Sequence, residues 1–419
     1  MKACLTIAVL CIVCAGCGSL AQAVCGGTSV NAFGAKGDGA TDDKSAIQRA
    51  INAAAAGGGG SVVFNVARYF TTGTFVVPTG VVLCGAIEGP FDITSEVDPA
   101  VTVVAPSLLV TNTSAPFLTL NGVGAGVTDL LFHYPNQVKV TAVAPSVYPY
   151  TIVAASAGTK VVRSFVTNAY DFLDIESGKV LAQDLKIGAF NIGVNVDHAY
   201  DHVTMRNIGL GVFWDQAQHQ PFPQPIDTWV QTHGIGLVVN RADSLEVHDF
   251  GGFSRFAGML LTDSPDTSQN PRCGFGTGSD FQFDMFVYGI IVTASNTPGY
   301  EFTNLLVGGL LPASGQAAVQ LRAGGTLAPD VLINGGSQYG TWALGPFPTP
   351  AAGRTLAMRS HPEYNCSRNE YTARSWGPSV RTHARRYPRP ALWQGRSIIL
   401  HTPNRTRSRC QRWRGSTRA

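Results

Sequence analysis

Two stretches of the sequence concentrate side chains that can do acid–base chemistry. The first is DHAYDH, with Asp197, His198, Asp201 and His202, preceded by Asp171 and Asp174 in YDFLDIESG. The second gathers His233, His248, Asp249, Arg255, Asp263 and Asp266. Cleavage of a glycosidic bond needs two carboxyl groups about 5–9 Å apart, one of them protonated. If Asp174 and Asp197 hold similar positions one or two repeats apart, stacking brings them within several ångströms. Asp174, Asp197, Asp201, His202, His248 and Asp263 are therefore the candidate catalytic residues. Trp214, Trp229, His233 and Arg255 are the candidate substrate contacts, since Trp supplies rigid stacking area for sugar rings. The plainer alternative makes the Asp and His residues exposed turn positions and the tryptophans anchors of a loop. A lyase would need a base at a uronate C5 proton and a cation for the uronate carboxylate. Arg206, Arg241 and Arg255 are the nearest arginines in sequence. The histidines lack zinc-site spacing, so neither metal nor cofactor is expected.

A third acidic group lies in GAKGDGATDDKSAIQRAINAAAAGGGGSVVF, which holds Asp38, Asp42 and Asp43. Ala46, Ile47, Ala50, Ile51 and Ala54 recur at helical spacing, which predicts an amphipathic helix over 42–56. Thr41 stands at the cap position, with Asp42 and Asp43 in the first turn beside the exposed N–H groups. Gly57 to Gly60 end the helix. The spacing of the aspartates does not match a calcium loop. They read as architecture.

The elements that must position the candidate residues are short and β-prone, from about residue 100 to 345. Strand starts at Val161, Val180, Val203, Leu245, Phe281, Phe302 and Val331 are separated by 19, 23, 42, 36, 21 and 29 residues. Repeats of that size cannot bury an apolar face alone and must stack into a common core. A parallel β-helix satisfies this, with Val, Leu, Ile and Phe inward and Gly, Asn and Asp at the corners. The intervals of 42 and 36 are two turns each or turns carrying loops. A β-sandwich is the second choice, and its hairpin turns are scarce here. FWDQAQHQPFPQPIDTWVQTH, at 213–233, reads as a loop thrown out from the wall, and SPDTSQNPRCGFGTG as a shorter one.

Charge is unevenly placed along the 419 residues. Residues 351–419 hold 15 Arg, no Lys and two acidic side chains, leaving 15 basic against 25 acidic in the body. An acidic body gives no electrostatic footprint for nucleic acid. The first 23 residues, with Lys2, a short apolar run and AQA, read as an export signal. Lipid attachment at Cys17 is the competing reading. Either way the chain is secreted or periplasmic. No later segment is apolar enough to span a membrane, and the sequence carries no signal for oligomeric state. Export permits a Cys25–Cys84 disulfide, although the plainer reading of Cys25, Cys84 and Cys273 is small buried apolar residues. The tail has no repeat and little β pattern. It reads as GC-rich DNA translated out of frame, or else as an Arg-rich nucleic-acid arm.

The phrase VNAFGAKGDGATDDKSAIQRAINAA…GGGGSVVF, followed by YFTTGTFVVPTGVVLCG, resembles the N-terminal signature of the pectate-lyase-like superfamily. The branch it resembles groups rhamnogalacturonase- and epimerase-like proteins, family 28-related glycoside hydrolases and tailspike-like β-helices. The likeness is specific over about 30–85. It implies an all-β, single-stranded right-handed parallel β-helix (pectin lyase-like) over 28–350, with a short N-terminal cap helix. It further implies a polysaccharide as substrate or ligand, although such folds serve hydrolases, lyases, epimerases and non-enzymatic adhesins alike. The Asn-Thr-Asp, Asp-Asp, Gly-His-Gly and Arg-Ile-Lys motifs of polygalacturonases are absent from the solenoid, and so is the Arg–Lys pattern of calcium-dependent pectate lyases. Glycosidic cleavage by carboxylates is the leading expectation, with a non-catalytic binding protein and a lyase as alternatives.

An out-of-frame tail has a direct consequence in the gene. Read in the other two frames, the nucleotides encoding 351–419 restore β-helix repeats in one of them. Repeats in neither frame would sink that reading.

Overall fold

Short runs in which alternate residues are apolar send every second side chain inward, and parallel stacking of those runs closes a core between them. The computed structural model describes residues 25–86, 105–139, 141–212, 223–268, 273–294 and 299–309, with strands at 317–321, 331–339, 356–359 and 397–399. They form the expected right-handed parallel β-helix.

Each full rung crosses three walls. The first wall stacks Gly60–Phe64, Val81–Gly85 and Gly126–Thr128, then the leading halves of the long strands Lys160–Ile175 and Val180–Val196. The second runs through Arg68–Thr71, Ser107–Val110 and Leu131–His133 into the middles of those strands. The third stacks Phe75–Pro78, Leu118–Asn121 and Ile152–Ala154 under the ends of the long strands, followed by Ile235–Val239, Ala257–Leu261 and Tyr288–Val292. Inward residues lie directly above one another. In the third wall Leu120, Ala154, Ile175, Val196, Val239, Leu261 and Val292 form one such column. All of them are buried. Rings stack too: Phe75, Phe117, Phe132 and Phe172 follow one another at 5.6, 6.1 and 6.5 Å.

Between the first and second walls the chain turns on one residue in the left-handed region. Asp129, Arg163, Asp184, Asn207, Asp249, Asp280 and Asn304 occupy this corner on successive rungs, with φ between 41° and 60°. Asn and Asp tolerate that conformation better than other non-glycine residues. The expectation that Asn and Asp make the corners therefore holds. Side chains also link the corner: Asn207 Nδ2 donates to Asp184 at 2.8 Å, Asn304 Nδ2 to Asp280 at 2.6 Å, and Arg163 clasps Asp129 at 2.7 Å.

Register corrects the repeat lengths. Val203 pairs with Leu245, so the interval of 42 is a single rung carrying an insertion. Leu245 pairs with Gly276, whereas Phe281 pairs with Phe250 of the second wall, so the interval of 36 compares two different walls. The insertion at 213–233 is not loop throughout, because Pro225–His233 is a helix, α2. Its signals were in the sequence. Pro225 is at the first turn, and Asp227 accepts the Gln224 backbone N–H at 2.7 Å.

At the N-terminal end α1, Lys44–Ala56, buries Ala46, Ile47, Ala50, Ile51 and Ala54 as expected. It starts later than expected, and Thr41 is not its cap. Asp43 stands at that position, but its carboxylate accepts from Lys36 N at 2.6 Å and Gly37 N at 3.0 Å. Asp42 accepts from Lys44 N at 3.0 Å and Thr72 Oγ1 at 2.6 Å, while Asp38 accepts from Ala40 N, Thr41 N and Thr41 Oγ1. All three aspartates tie turns together. Gly59 approaches Gly80 so closely that a Cβ would meet its carbonyl oxygen at 2.7 Å. Cys25 and Cys84 form a disulfide, not separate buried thiols, and Cys273 is free and buried.

Two tail segments carry strand structure where little was expected. Leu356–Arg359 pairs in parallel with residues from Val331 to Asn334, and Ser397–Ile399 pairs antiparallel with it. The export signal and Cys17 lie outside the described residues. Among the described residues no helix is long and apolar enough to cross a membrane.

Because Phe132 sits in the middle of the ring column, fully buried, Phe132→Ala should destabilise the solenoid by about 3–5 kcal/mol. Denaturant unfolding of the two proteins measures this. A loss below about 1 kcal/mol would mean that the column is not packed as described.

Candidate functional site

The third wall carries the acidic surface. The strand Lys160–Ile175 turns into it at Asn168, whose φ is 62°. Leu173 and Ile175 point inward, so Asp174 between them faces out. Its neighbour on the next rung is Asn195. Asn195 Nδ2 donates to Asp174 Oδ1 at 2.8 Å, and Asn240 Nδ2 donates to Asn195 Oδ1 at 2.7 Å. At the start of the same wall Asp171 accepts from Asn191 Nδ2 at 2.9 Å and from the Ile192 backbone N–H at 2.8 Å.

Burial pushes the carboxyls of Asp171 and Asp174 from an ordinary 3.8 up to about 7. For Asp174 the amide of Asn195 opposes this, while the Glu176 carboxyl reinforces it by its charge and by a direct hydrogen bond. Such a contact between two carboxyls requires one to keep its proton. Tyr150 lies close by, its hydroxyl held protonated by burial and by the charges of Asp171, Asp174 and Glu176.

Two flanks border this surface. At the corner nearest Asp171, the Tyr170 ring lies 6.1 Å from Trp229 of α2, and Trp229 stacks on His233 at 4.3 Å and 9°. Phe190, Ile226 and Val230 anchor α2 beneath them. At the other corner His198 turns the chain with φ 50°. Its Nδ1 lies 2.9 Å from Glu176 Oε2 and its Nε2 lies 3.0 Å from Asp266 Oδ2. The bond to Asp266 is the main reason the imidazolium is favoured, with Asp197 and Glu176 adding to it. Asp197, only 4% exposed, accepts from Ser264 Oγ at 2.9 Å and so fastens the loop bearing Asp266.

Asp174 and Asp197 do not hold the equivalent positions that the sequence suggested: Asp174 stacks on Asn195, and Asp197 lies two residues further on, close enough for its charge to act on Asp174. The other candidates are dispersed. Asp201 is exposed and pairs with Lys179 at 3.1 Å, and His202 lies against Ser244, Thr204 and Glu246 at the head of the first wall. His248 is also on the first wall, 3.0 Å from Ser279 Oγ. Asp263 follows Ala257–Leu261, and its charge acts on Cys273, a thiol that burial raises to about 12. Trp229 and His233 flank the acidic surface. Arg255 does not: it is wholly buried, its guanidinium pushed down to about 10 by that burial, and it has no surface for a ligand. Trp214 lies outside the described residues. Sequence reasoning missed Glu176, Tyr150, Tyr170 and the amides of Asn191, Asn195 and Asn240. The two-residue spacing of Asp174 and Glu176 was the available signal, since strand residues two apart share a face.

Residues 27–113 match a family model described as rhamnogalacturonase A/epimerase, pectate lyase-like. No curated protein sequence matches the chain. Among solved structures it is similar to a double mutant of the tailspike protein of E. coli bacteriophage HK620, with TM-score 0.52 and 10% identity over 79% of this chain and 59% of that one. A single mutant of the same tailspike in complex with a pentasaccharide gives 0.53 and 10%, over 79% and 60%. The chain therefore spans less than two thirds of the tailspike chains it matches.

The raised carboxyls make a pH test. Folding binds their protons more tightly, so the stability they confer is fully present below about pH 4 and lost as pH rises through about 7. Asp171→Asn and Asp174→Asn should therefore melt above the parent at about pH 8 and close to it at about pH 4. A melting difference independent of pH would refute the raised values.

Proposed function

From a chain with the pectate-lyase and tailspike-like right-handed β-helix fold, we propose a polysaccharide-active protein whose third wall is the binding face and cleaves glycosidic bonds. The observation that carries the reading is the outward Asp174 carboxyl, kept protonated near neutral pH in contact with Glu176 and set among amides. In this reading Asp174 is the general acid that protonates the leaving oxygen. Asp171, three residues earlier on the same strand and raised by burial to the same value, is the second carboxyl, which serves water or the sugar once it is ionised. Glu176 holds the Asp174 proton in place, and His198 orients Glu176 from behind. Tyr170, Trp229 and His233 supply ring faces for adjacent sugars. The pentasaccharide bound by a tailspike of the same fold supports a carbohydrate ligand.

A non-catalytic binding protein is the second reading, favoured by the amide row and the ring stack, which bind sugars without acid chemistry. A lyase is less well equipped, because the charges acting on Asp174 are those of Glu176 and Asp197. We place the mature protein outside the cytoplasm, secreted or periplasmic, with Cys17 as an alternative lipid attachment point. The tail is proposed as out-of-frame sequence.

The test is release of reducing ends from a set of acidic and neutral polysaccharides, followed alongside ultraviolet absorbance for unsaturated products. Asp174→Asn should lower cleavage by about 10²–10⁴-fold while binding persists. Retained binding with no cleavage by the parent of any substrate would leave only the binding protein. Unsaturated products would establish the lyase.

A further inference from the structure

The ligand of the third wall can be narrowed by charge, a step that rests on the reading of that wall as the polysaccharide face. Its ionisable groups are Asp171, Asp174 and Glu176 on one rung, Asp197 on the next and Asp266 on the bordering loop. Most of the described cations nearby are paired with acids of the chain or enclosed. His198 is held between Glu176 and Asp266. Arg241 donates to Asp243 at 2.8 Å and lies 5.4 Å over the Tyr200 ring. Lys179 pairs with Asp201, and Arg255 is enclosed. Lys139 is exposed on the α2 flank, next to Val138, which packs on the cluster under α2.

A uronic-acid polymer brings a carboxylate with each charged sugar. Over this floor those carboxylates would face Glu176 and Asp266, whose charge His198 offsets only in part among the described residues, and Asp171 and Asp174 as well once pH rises through about 7; partial burial strengthens the repulsion. Built-in repulsion of this kind is how a site rejects a wrong ligand. A neutral sugar meets no such opposition. Its hydroxyls can donate to the carboxylates and exchange hydrogen bonds with the amides of Asn191, Asn195 and Asn240. Its apolar ring faces fit the exposed parts of Tyr170 and Trp229. We infer that the polysaccharide is neutral, recognised through hydroxyls and ring faces, and that the acidic floor excludes uronic-acid polymers. The chain thereby departs from the pectate chemistry named in the family matched by its N-terminal residues.

Affinity electrophoresis of the full chain tests this with three sets of probes: neutral polysaccharides, uronic-acid polymers, and the same uronic-acid polymers after carboxyl reduction. The expected result is retardation by neutral or reduced polymers, at least about tenfold stronger than by any acidic one. Added salt should narrow that gap by screening. The triple variant Asp171→Asn, Asp174→Asn, Glu176→Gln, checked for parental circular dichroism and melting at about pH 4, should narrow it as well. The inference is overturned if an acidic polymer is retained as strongly as its reduced form, by Lys139 or otherwise. It is equally overturned if a folded triple variant discriminates as the parent does. Retention of neutral polymers without cleavage would remove the hydrolase of the preceding section and leave this inference standing, whereas cleavage of a uronic-acid polymer would do the reverse. Retention of none of the probes would remove both.

Discussion

Every rung of this solenoid lies in register on the rung below, about 4.8 Å away, so each side chain has an equivalent directly above it. For inward residues that is an advantage, because aliphatic groups and rings stack into continuous columns. For outward residues it is a hazard, because carboxylates at equivalent positions would repel one another. The chain meets the hazard by setting amides or guanidinium against acids. Asp174 is capped by Asn195, Asp171 by Asn191, Asp184 by Asn207 and Asp280 by Asn304, each through an amide N–H donated at 2.6–2.9 Å. Asp129 is held by Arg163 instead. The same rule serves the corner and the third wall.

That rule lapses at the Asp249–Asp280 step of the corner and again at the acidic surface. Glu176 stands two residues from Asp174 on the same face, Asp197 follows on the next rung, and no amide separates them. The crowding is relieved by a proton kept on a carboxyl and by His198, which joins Glu176 to Asp266. In the proposed reading, the carboxyl that keeps its proton here is the reactive one.

Much of the scaffold was legible in the sequence. Helical spacing marked the five buried residues of α1, and recurrent β-prone runs marked the walls, because both reflect local periodicity. Repeat length was less legible: Leu245 and Phe281 look alike as strand starts but belong to different walls, and only pairing tells them apart. The cap was misread at Thr41 because Asp43 hydrogen-bonds to the Lys36–Gly37 turn, a contact fixed by tertiary structure. On the acidic surface, Asp174 and Asp197 were visible in the sequence as clustered acids, but their register was not. Glu176 was missed because it reads as an ordinary turn residue in IESG. Arg255 was misplaced for the converse reason: nothing local announces that it will be enclosed.

The ledge formed by α2 is inserted at a corner, and the walls on either side pair as though it were not there. Ile192 meets Ile235 and Val203 meets Leu245 across it. Scaffold and ledge are therefore separable inheritances. The segment bearing Trp229 and His233 can be lengthened, exchanged or lost without shifting Asp174 on its strand. On the function proposed above, preference for one sugar sequence over another can drift by replacement of this ledge, while Asp174 stays where the rungs hold it.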